Sequence, residues 1–178
     1  ALGMRLWADE RRSGSIELLM TLPLTTRDMV LGKFLAAWAF ACVSLALTIP
    51  LWITISWLGT PDHGVIFAGY VASALLFATM LSVSACHSAC TRNAVVAFVL
   101  GVAACFILLF TGLPVVLDFF AQWAPKAVIE AVAAMSAMVH FNALIRGVFD
   151  VRDLLYPVSV VIAFLWINAR LLDWRGSR

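Results

Sequence analysis

Residues 9–33, DERRSGSIELLMTLPLTTRDMVLGK, constrain the fold most strongly, because they are charged while most of the chain after them is apolar. Together with Arg5 they hold five of the twelve Lys and Arg residues. They also hold four of the ten acidic residues, namely Asp9, Glu10, Glu17 and Asp28. A charged amphipathic segment joined directly to long apolar runs indicates a water-facing element attached to a membrane-embedded body.

The composition of the whole chain predicts a helical integral membrane protein. The chain has 178 residues, of which 63% are apolar and 12% are charged, and its mean hydropathy is +1.00. Soluble domains carry about 25% charged residues, and a soluble chain of this composition would expose large apolar patches. The apolar blocks are continuous rather than alternating, which favours transmembrane helices. The net charge of +2 is too small to indicate a nucleic-acid partner.

The first twelve residues are expected to be the end of an earlier helix that leaves the membrane. Trp7 would then lie at the depth of the lipid headgroups. The chain begins with Ala1 rather than Met, close to a charged segment, so we expect more apolar sequence before it.

A short amphipathic helix is predicted over residues 15–22. Pro23 ends it, because the residue before a proline avoids helical geometry. The helix offers Leu18, Leu19 and Leu22 as apolar side chains for a groove on a soluble partner. An ordinary solvated loop is the alternative interpretation.

Four apolar blocks are long enough to cross a bilayer, since a helix rises about 1.5 Å per residue and the bilayer core is about 30 Å thick. The predicted spans are residues 34–57, 65–86, 94–117 and 156–172. Thr25, with Asp28 three residues later, predicts the capped start of the helix that leads into the first span. Charged residues interrupt 118–155, which we expect to form short external helices that lie at the membrane surface or dip into it.

Small residues recur at every fourth position along the second predicted span. They are Ala74, Ala78, Ser82 and Cys86. A stripe of small side chains lets another helix approach closely, and we therefore expect helix packing at these residues.

Positive charge predicts the orientation in the membrane. Nine of the twelve Lys and Arg residues lie on the side that holds residues 1–33, the loop at Arg92 and the C-terminus. The remaining three are Lys126, Arg146 and Arg152. By the positive-inside rule, residues 1–33 and the C-terminus lie in the cytoplasm, and the chain is a multi-pass protein of the cell inner membrane.

Several kinds of chemistry are disfavoured. No charged residue lies well inside a predicted span, which argues against a proton-coupled carrier. No G-x-x-x-x-G-K-[ST] loop is present, so the chain does not itself bind ATP in that manner. Cys86, His87 and Cys90 lack an evident fourth metal ligand and are better explained as packing residues, while His140 is expected to be an ordinary interfacial histidine. We expect no catalytic residues, cofactor or metal.

The charged segment resembles that of the type-2 ABC transporter permeases. The matching run includes Asp9-Glu10-Arg11, Gly14-Ser15, Glu17-Leu18-Leu19 and Pro23, followed by Val30-Leu31-Gly32-Lys33. It is similar to the E-E-R-x-x-G-T-x-E-L-L-x-x-x-P and V-x-G-K pattern of the gliding-motility and nitrous oxide reductase maturation branch, with Asp9 and Ser15 as mild departures. Thr91-Arg92-Asn93 and the stretch from His140 to Tyr156 resemble later parts of the same family.

The resemblance implies six spans per subunit, of which this chain holds the last four. It also implies a cytoplasmic coupling helix in residues 1–33, a permease domain in residues 34–178, a separate ABC ATPase and a second permease subunit, identical or different. The residues implied to contact the ATPase are Gly14, Ile16, Glu17, Leu18, Leu19, Leu22 and Pro23. Glu17 would pair with a basic residue of the ATPase, and Pro23 would fix the angle to the following span.

The sequence therefore predicts the permease subunit of an ATP-binding-cassette transporter, either an exporter or a system that serves envelope assembly, with a substrate that the sequence does not identify. A membrane scaffold that transports nothing and recruits a cytoplasmic partner is the alternative. A membrane-embedded enzyme is a third interpretation, without a catalytic constellation to support it.

Overall fold

The computed structural model describes residues 2–13, 25–91, 93–121, 123–146 and 150–176, and every regular element in these ranges is a helix. The helices are α1 (Arg5–Ser13, after a 3₁₀ turn at Leu2–Met4), α2 (Thr26–Ala46), α3 (Ile49–Leu58), α4 (His63–Cys90), α5 (Ala94–Phe110), α6 (Pro114–Ala121), α7 (Lys126–Ala134), α8 (Ala137–Ile145) and α9 (Val151–Gly176). The all-α membrane fold that the composition predicts is confirmed.

Three stretches of the described chain are long and apolar enough to cross a membrane. They are Thr26–Leu58, His63–Cys90 and Val151–Trp174. Two further pairs of helices reach this length only when each pair is taken together across a sharp bend, which allows up to five crossings. The first, second and fourth predicted spans fall within these three stretches, and the first of them is divided between α2 and α3.

Side chains fix where the long helices begin. The Thr25 hydroxyl accepts a hydrogen bond from the Asp28 amide at 3.3 Å and donates one to the Asp28 carboxylate at 2.6 Å. This reciprocal pair caps α2 and confirms the predicted helix start. Asp62 caps α4 through the amides of Gly64 and Val65, so α4 begins two residues before the predicted span.

The third predicted span, residues 94–117, is not one helix. It is divided between α5 and α6, whose axes meet at 73°. Pro114 begins α6 and lacks the amide that a continuous helix would need. At the bend, a side chain on Gly112 would overlap Ser136 and Val139. The turn is thus held against the start of α8, and the Ser136 hydroxyl donates a hydrogen bond to the Leu109 carbonyl at 3.3 Å.

Both ends of the predicted external segment, residues 118–155, lie within helices, and its external position stays a prediction. It begins inside α6 and ends inside α9, which starts at Val151 rather than at residue 156. Between them lie α7 and α8, two short helices bent by 66° relative to each other. The α9 start is earlier because Asp150 caps it, accepting a hydrogen bond from the Arg152 amide at 3.2 Å.

Helix α4 lies at the centre of the bundle and packs against α1, α2, α5, α8 and α9. Its buried residues are mainly Ala, Ser and Cys together with Leu81 and Val83. Lipid tails are as apolar as these side chains, so close van der Waals packing rather than burial from water holds the membrane part together.

Candidate functional site

The predicted ATPase-contact residues, Gly14, Ile16, Glu17, Leu18, Leu19, Leu22 and Pro23, lie outside the described residues. The structure describes the two helices on either side of them. Helix α1 ends at Ser13, and the cap of α2 is Thr25. Residues 14–24 connect these two helices. A force on that segment would therefore move whichever helices α1 and α2 are attached to.

Lys33 of α2 attaches α1 to α2. Its ammonium group donates a hydrogen bond to the Leu6 carbonyl at 2.9 Å and forms an ion pair with Glu10. The same group lies 4.2 Å from the centre of the Trp7 ring, over its face. A cation is attracted to the face of an indole ring by its quadrupole. One lysine thus contacts three successive parts of α1.

Ser88 of α4 attaches the start of α1 to the central helix. Its hydroxyl oxygen accepts hydrogen bonds from the backbone amides of Trp7 and Ala8, at 3.1 and 3.0 Å. These amides belong to the first turn of α1, where a helix supplies no carbonyl partners of its own. Ser88 is fully buried and acts as a helix cap provided by another helix.

An apolar cluster beneath these polar contacts joins four helices. It consists of Trp7 of α1, Val30 of α2, Ala89 of α4 and Ala169 and Leu172 of α9, all buried. We call Lys33, Glu10, Trp7 and Ser88, together with this cluster, the N-terminal clamp. Through the clamp, both helices that flank residues 14–24 contact α4 and α9.

The small-residue stripe lies along α4. Ala78, Ser82 and Cys86 are buried, and Ala74 is half-buried. Beside it, the indole nitrogen of Trp38 on α2 donates a hydrogen bond to the Ala74 carbonyl at 3.0 Å, and Phe34 packs against Ala78. The helix-packing role of the whole stripe stays a prediction.

Residues 1–172 match the protein family described as ABC-2 family transporter protein. The chain belongs to the ABC-2 transporter family. It is therefore a permease subunit, the multi-pass membrane component of an ABC transporter, rather than a catalytic subunit. No curated protein and no solved structure matches the chain significantly.

The permease carries a second polar cluster at the other end of α9, about 25 Å from the clamp if α9 rises 1.5 Å per residue. His140 of α8 is buried, with Nδ1 2.6 Å from the Asp153 carboxylate. Its Nε2 donates to the Ala134 carbonyl at 3.0 Å. Tyr156 stacks on the imidazole at 4.2 Å and donates a hydrogen bond to the Met135 carbonyl.

This cluster engages both ring nitrogens of His140. A carbonyl oxygen only accepts hydrogen bonds, so the contact with Ala134 places a hydrogen on Nε2. The sequence predicts an ordinary interfacial histidine at position 140 and does not reveal its contact with Asp153. The only signal in the sequence is the distance of thirteen residues between two groups on separate helices.

Asn168 of α9 is the other functional candidate that no sequence pattern indicates. It is fully buried, and in the part of the chain that the structure describes neither its amide nitrogen nor its carbonyl oxygen has a hydrogen-bond partner. An unpaired buried amide costs about 1–3 kcal/mol. Asn168 lies beside the clamp residues Ala169 and Leu172 on the same helix.

Cys86, His87 and Cys90 do not form a metal site with other residues of the described ranges. The His87 Nδ1 lies 2.8 Å from the Val83 carbonyl of its own helix. Cys86 is buried and Cys90 is exposed, so the two thiols have different surroundings.

Proposed function

We propose that this permease subunit transports its substrate, by export, with energy from a separate ATPase that binds residues 14–24 in the cytoplasm. The observation that carries the proposal is the attachment of both flanking helices, α1 and α2, to α4 and α9 through one clamp. Membership of the ABC-2 family supports the ATPase partner.

The clamp gives the proposed coupling a physical route. Because Lys33 joins α2 to α1, a push on residues 14–24 would move the two helices together rather than separate them. Ser88 and the apolar cluster would pass that movement to α4 and α9. Packed interfaces transmit such shifts because they have few alternative arrangements. In this scheme Glu17 pairs with a basic residue of the ATPase, and Leu18, Leu19 and Leu22 enter an apolar groove.

The assembly that we propose holds two permease subunits, identical or different, and two ATPases in the cell inner membrane. Residues 14–24 and the C-terminus lie on the cytoplasmic side because most of the Lys and Arg residues are predicted on that side. Exposed apolar side chains along α2 and α3, such as Phe40, Val43 and Leu51, are available to lipid or to the second permease subunit.

Replacement of Leu19 by Asp tests the ATPase contact. The full-length permease is purified in detergent from its native host, and the ATPase that purifies with it is identified by its Walker motif and assayed for ATP hydrolysis. We expect Leu19→Asp to lose the ATPase while the permease still inserts into the membrane, since a carboxylate in an apolar groove is not tolerated.

Leu58→Asp is the matched control. Leu58 ends α3, far along the chain from residues 14–24, and is 82% exposed. This variant should keep the ATPase. Equal recovery of the ATPase with wild type and with Leu19→Asp would show that Leu19 does not contact the ATPase. Failure to recover any ATPase, even with wild type, would favour the scaffold interpretation.

A further inference from the structure

A cavity of about 450 Å³ lies beside the first turns of α9, at the end of the bundle opposite the clamp. It is lined by residues of α7, α8 and α9, among them His140, Arg152, Tyr156 and Ser159. Its volume is within the range of about 300–1,000 Å³ that is usual for small-molecule sites.

Three of the polar side chains that line the cavity are already paired. Both ring nitrogens of His140 are engaged, by Asp153 and by the Ala134 carbonyl. The Tyr156 hydroxyl bonds to the Met135 carbonyl, and the Ser159 hydroxyl donates to the Tyr156 carbonyl at 2.7 Å. These groups do not require a ligand.

Arg152 differs from them. Among the described residues, no carboxylate forms an ion pair with its guanidinium group. The nearest acids along the chain have other tasks, because Asp150 caps α9 through the backbone amide of Arg152 and Asp153 pairs with His140. The cavity therefore has one side chain whose positive charge is not balanced by a partner within it.

The rest of the α9 wall is apolar and continues into the span. Leu155, Val158 and Ile162 follow Arg152 at intervals of three and four residues, which places them on one face of the helix. They are 58%, 41% and 62% exposed. From Leu155 to Ile162 this face runs about 10 Å along the helix. A cation at the membrane end of an apolar strip suits an amphiphile with an anionic headgroup.

We propose that this cavity binds one anionic lipid of the surrounding bilayer, with its phosphate on Arg152 and an acyl chain along Leu155, Val158 and Ile162. A guanidinium group holds a phosphate through two parallel hydrogen bonds. The apolar strip belongs to a membrane-spanning helix, so the bilayer supplies the ligand. The site is separate from the proposed ATPase contact and does not depend on it.

Titration of the intact permease in detergent, read by native mass spectrometry, tests this site. The probes are phosphatidylglycerol and phosphatidylcholine with the same acyl chains, and inorganic phosphate alone. Wild type should bind one phosphatidylglycerol at least about tenfold more tightly than phosphatidylcholine, because hydrogen bonds to charged groups are strong. Inorganic phosphate should not displace it at millimolar concentration, since it lacks the acyl chain.

Arg152→Gln should abolish this preference, and Arg152→Lys should keep part of it. Arg146→Gln is the matched control, because Arg146 lies near α9 in sequence and does not line the cavity. Equal binding of the two lipids by wild type, or equal loss in the Arg152 and Arg146 variants, would overturn the proposal. Displacement of the lipid by inorganic phosphate would also overturn the proposal. So would a disulfide between two copies of Ile162→Cys, because it would show that the apolar strip is a subunit interface.

Discussion

Lys33→Met is the most informative perturbation of the N-terminal clamp. Methionine keeps an unbranched apolar stem of similar length, so packing between α1 and α2 is largely preserved. The substitution removes the ammonium group and with it the ion pair to Glu10, the hydrogen bond to Leu6 and the contact with the Trp7 ring.

The three contacts set the expected magnitude. A partly exposed ion pair contributes about 0–1 kcal/mol, a cation over an indole ring about 1 kcal/mol and a hydrogen bond from a charged donor about 1.5 kcal/mol. Because they share one ammonium group they are not additive. We therefore expect α1 to lose about 2 kcal/mol of attachment, which is about a 30-fold rise in the population of its detached form.

Amide hydrogen exchange of the permease in detergent measures this population directly. In the attached form the amides of Trp7 and Ala8 donate hydrogen bonds to the Ser88 hydroxyl. They should exchange about 30-fold faster in Lys33→Met. Lys126→Met is the control, because Lys126 is the only other lysine in the chain and is exposed at the start of α7. Equal exchange at Trp7 and Ala8 in both variants would refute the attachment by Lys33.

Three further substitutions test the packing of the bundle through its thermal unfolding in detergent. Ser88→Ala should lower stability by about 1 kcal/mol, because two amides of α1 lose their cap, and an unchanged midpoint would contradict that role. Gly112→Ala should lower the free energy of unfolding by about 1–3 kcal/mol through overlap with Ser136. Gly69→Ala is the control and should be neutral or stabilising, because nothing lies within 4 Å of the added methyl group. Equal effects of the two substitutions would contradict the tight bend. Asn168→Leu should leave stability unchanged or raise it by about 1 kcal/mol, and a clear loss would mean that the amide has a partner.

Hydropathy and capping residues predicted the long helices well. The span predicted over 65–86 is α4, and the structure extends it at both ends, from the Asp62 cap to Thr91. The capped start at Thr25 follows from two residues that are close in sequence, and local patterns of this kind can be recognised without the fold. The short helices within 118–155 were expected because charged residues leave no apolar run there that is long enough to span.

The missed features all depend on contacts between helices. Trp7 is buried because Lys33 covers its ring and Val30 and Leu172 pack against it, while its depth at the headgroups stays a prediction. Charges at Arg152 and Asp153 predict an interruption there, but α9 begins at Val151, and the Asp153 carboxylate lies 2.6 Å from His140 Nδ1 on another helix. No hydrophobic periodicity and no motif in the sequence indicates either of these contacts.

The bend between α5 and α6 was partly predictable. Gly112 and Pro114 mark the interruption, but its angle of 73° depends on Ser136 and Val139 from α8, which lie more than twenty residues away. A sequence pattern shows where a helix can break, while the packing around the break decides its direction.

Cysteine labelling at position 17 tests the proposed coupling most directly, because an ATPase can act on residues 14–24 only from the cytoplasm. Glu17→Cys is placed in a chain whose four native cysteines are replaced, and a membrane-impermeant maleimide is added to intact cells and to opened cells. The proposal predicts labelling only after the cells are opened. Labelling of Glu17→Cys in intact cells would place this segment outside the cell and contradict the coupling mechanism.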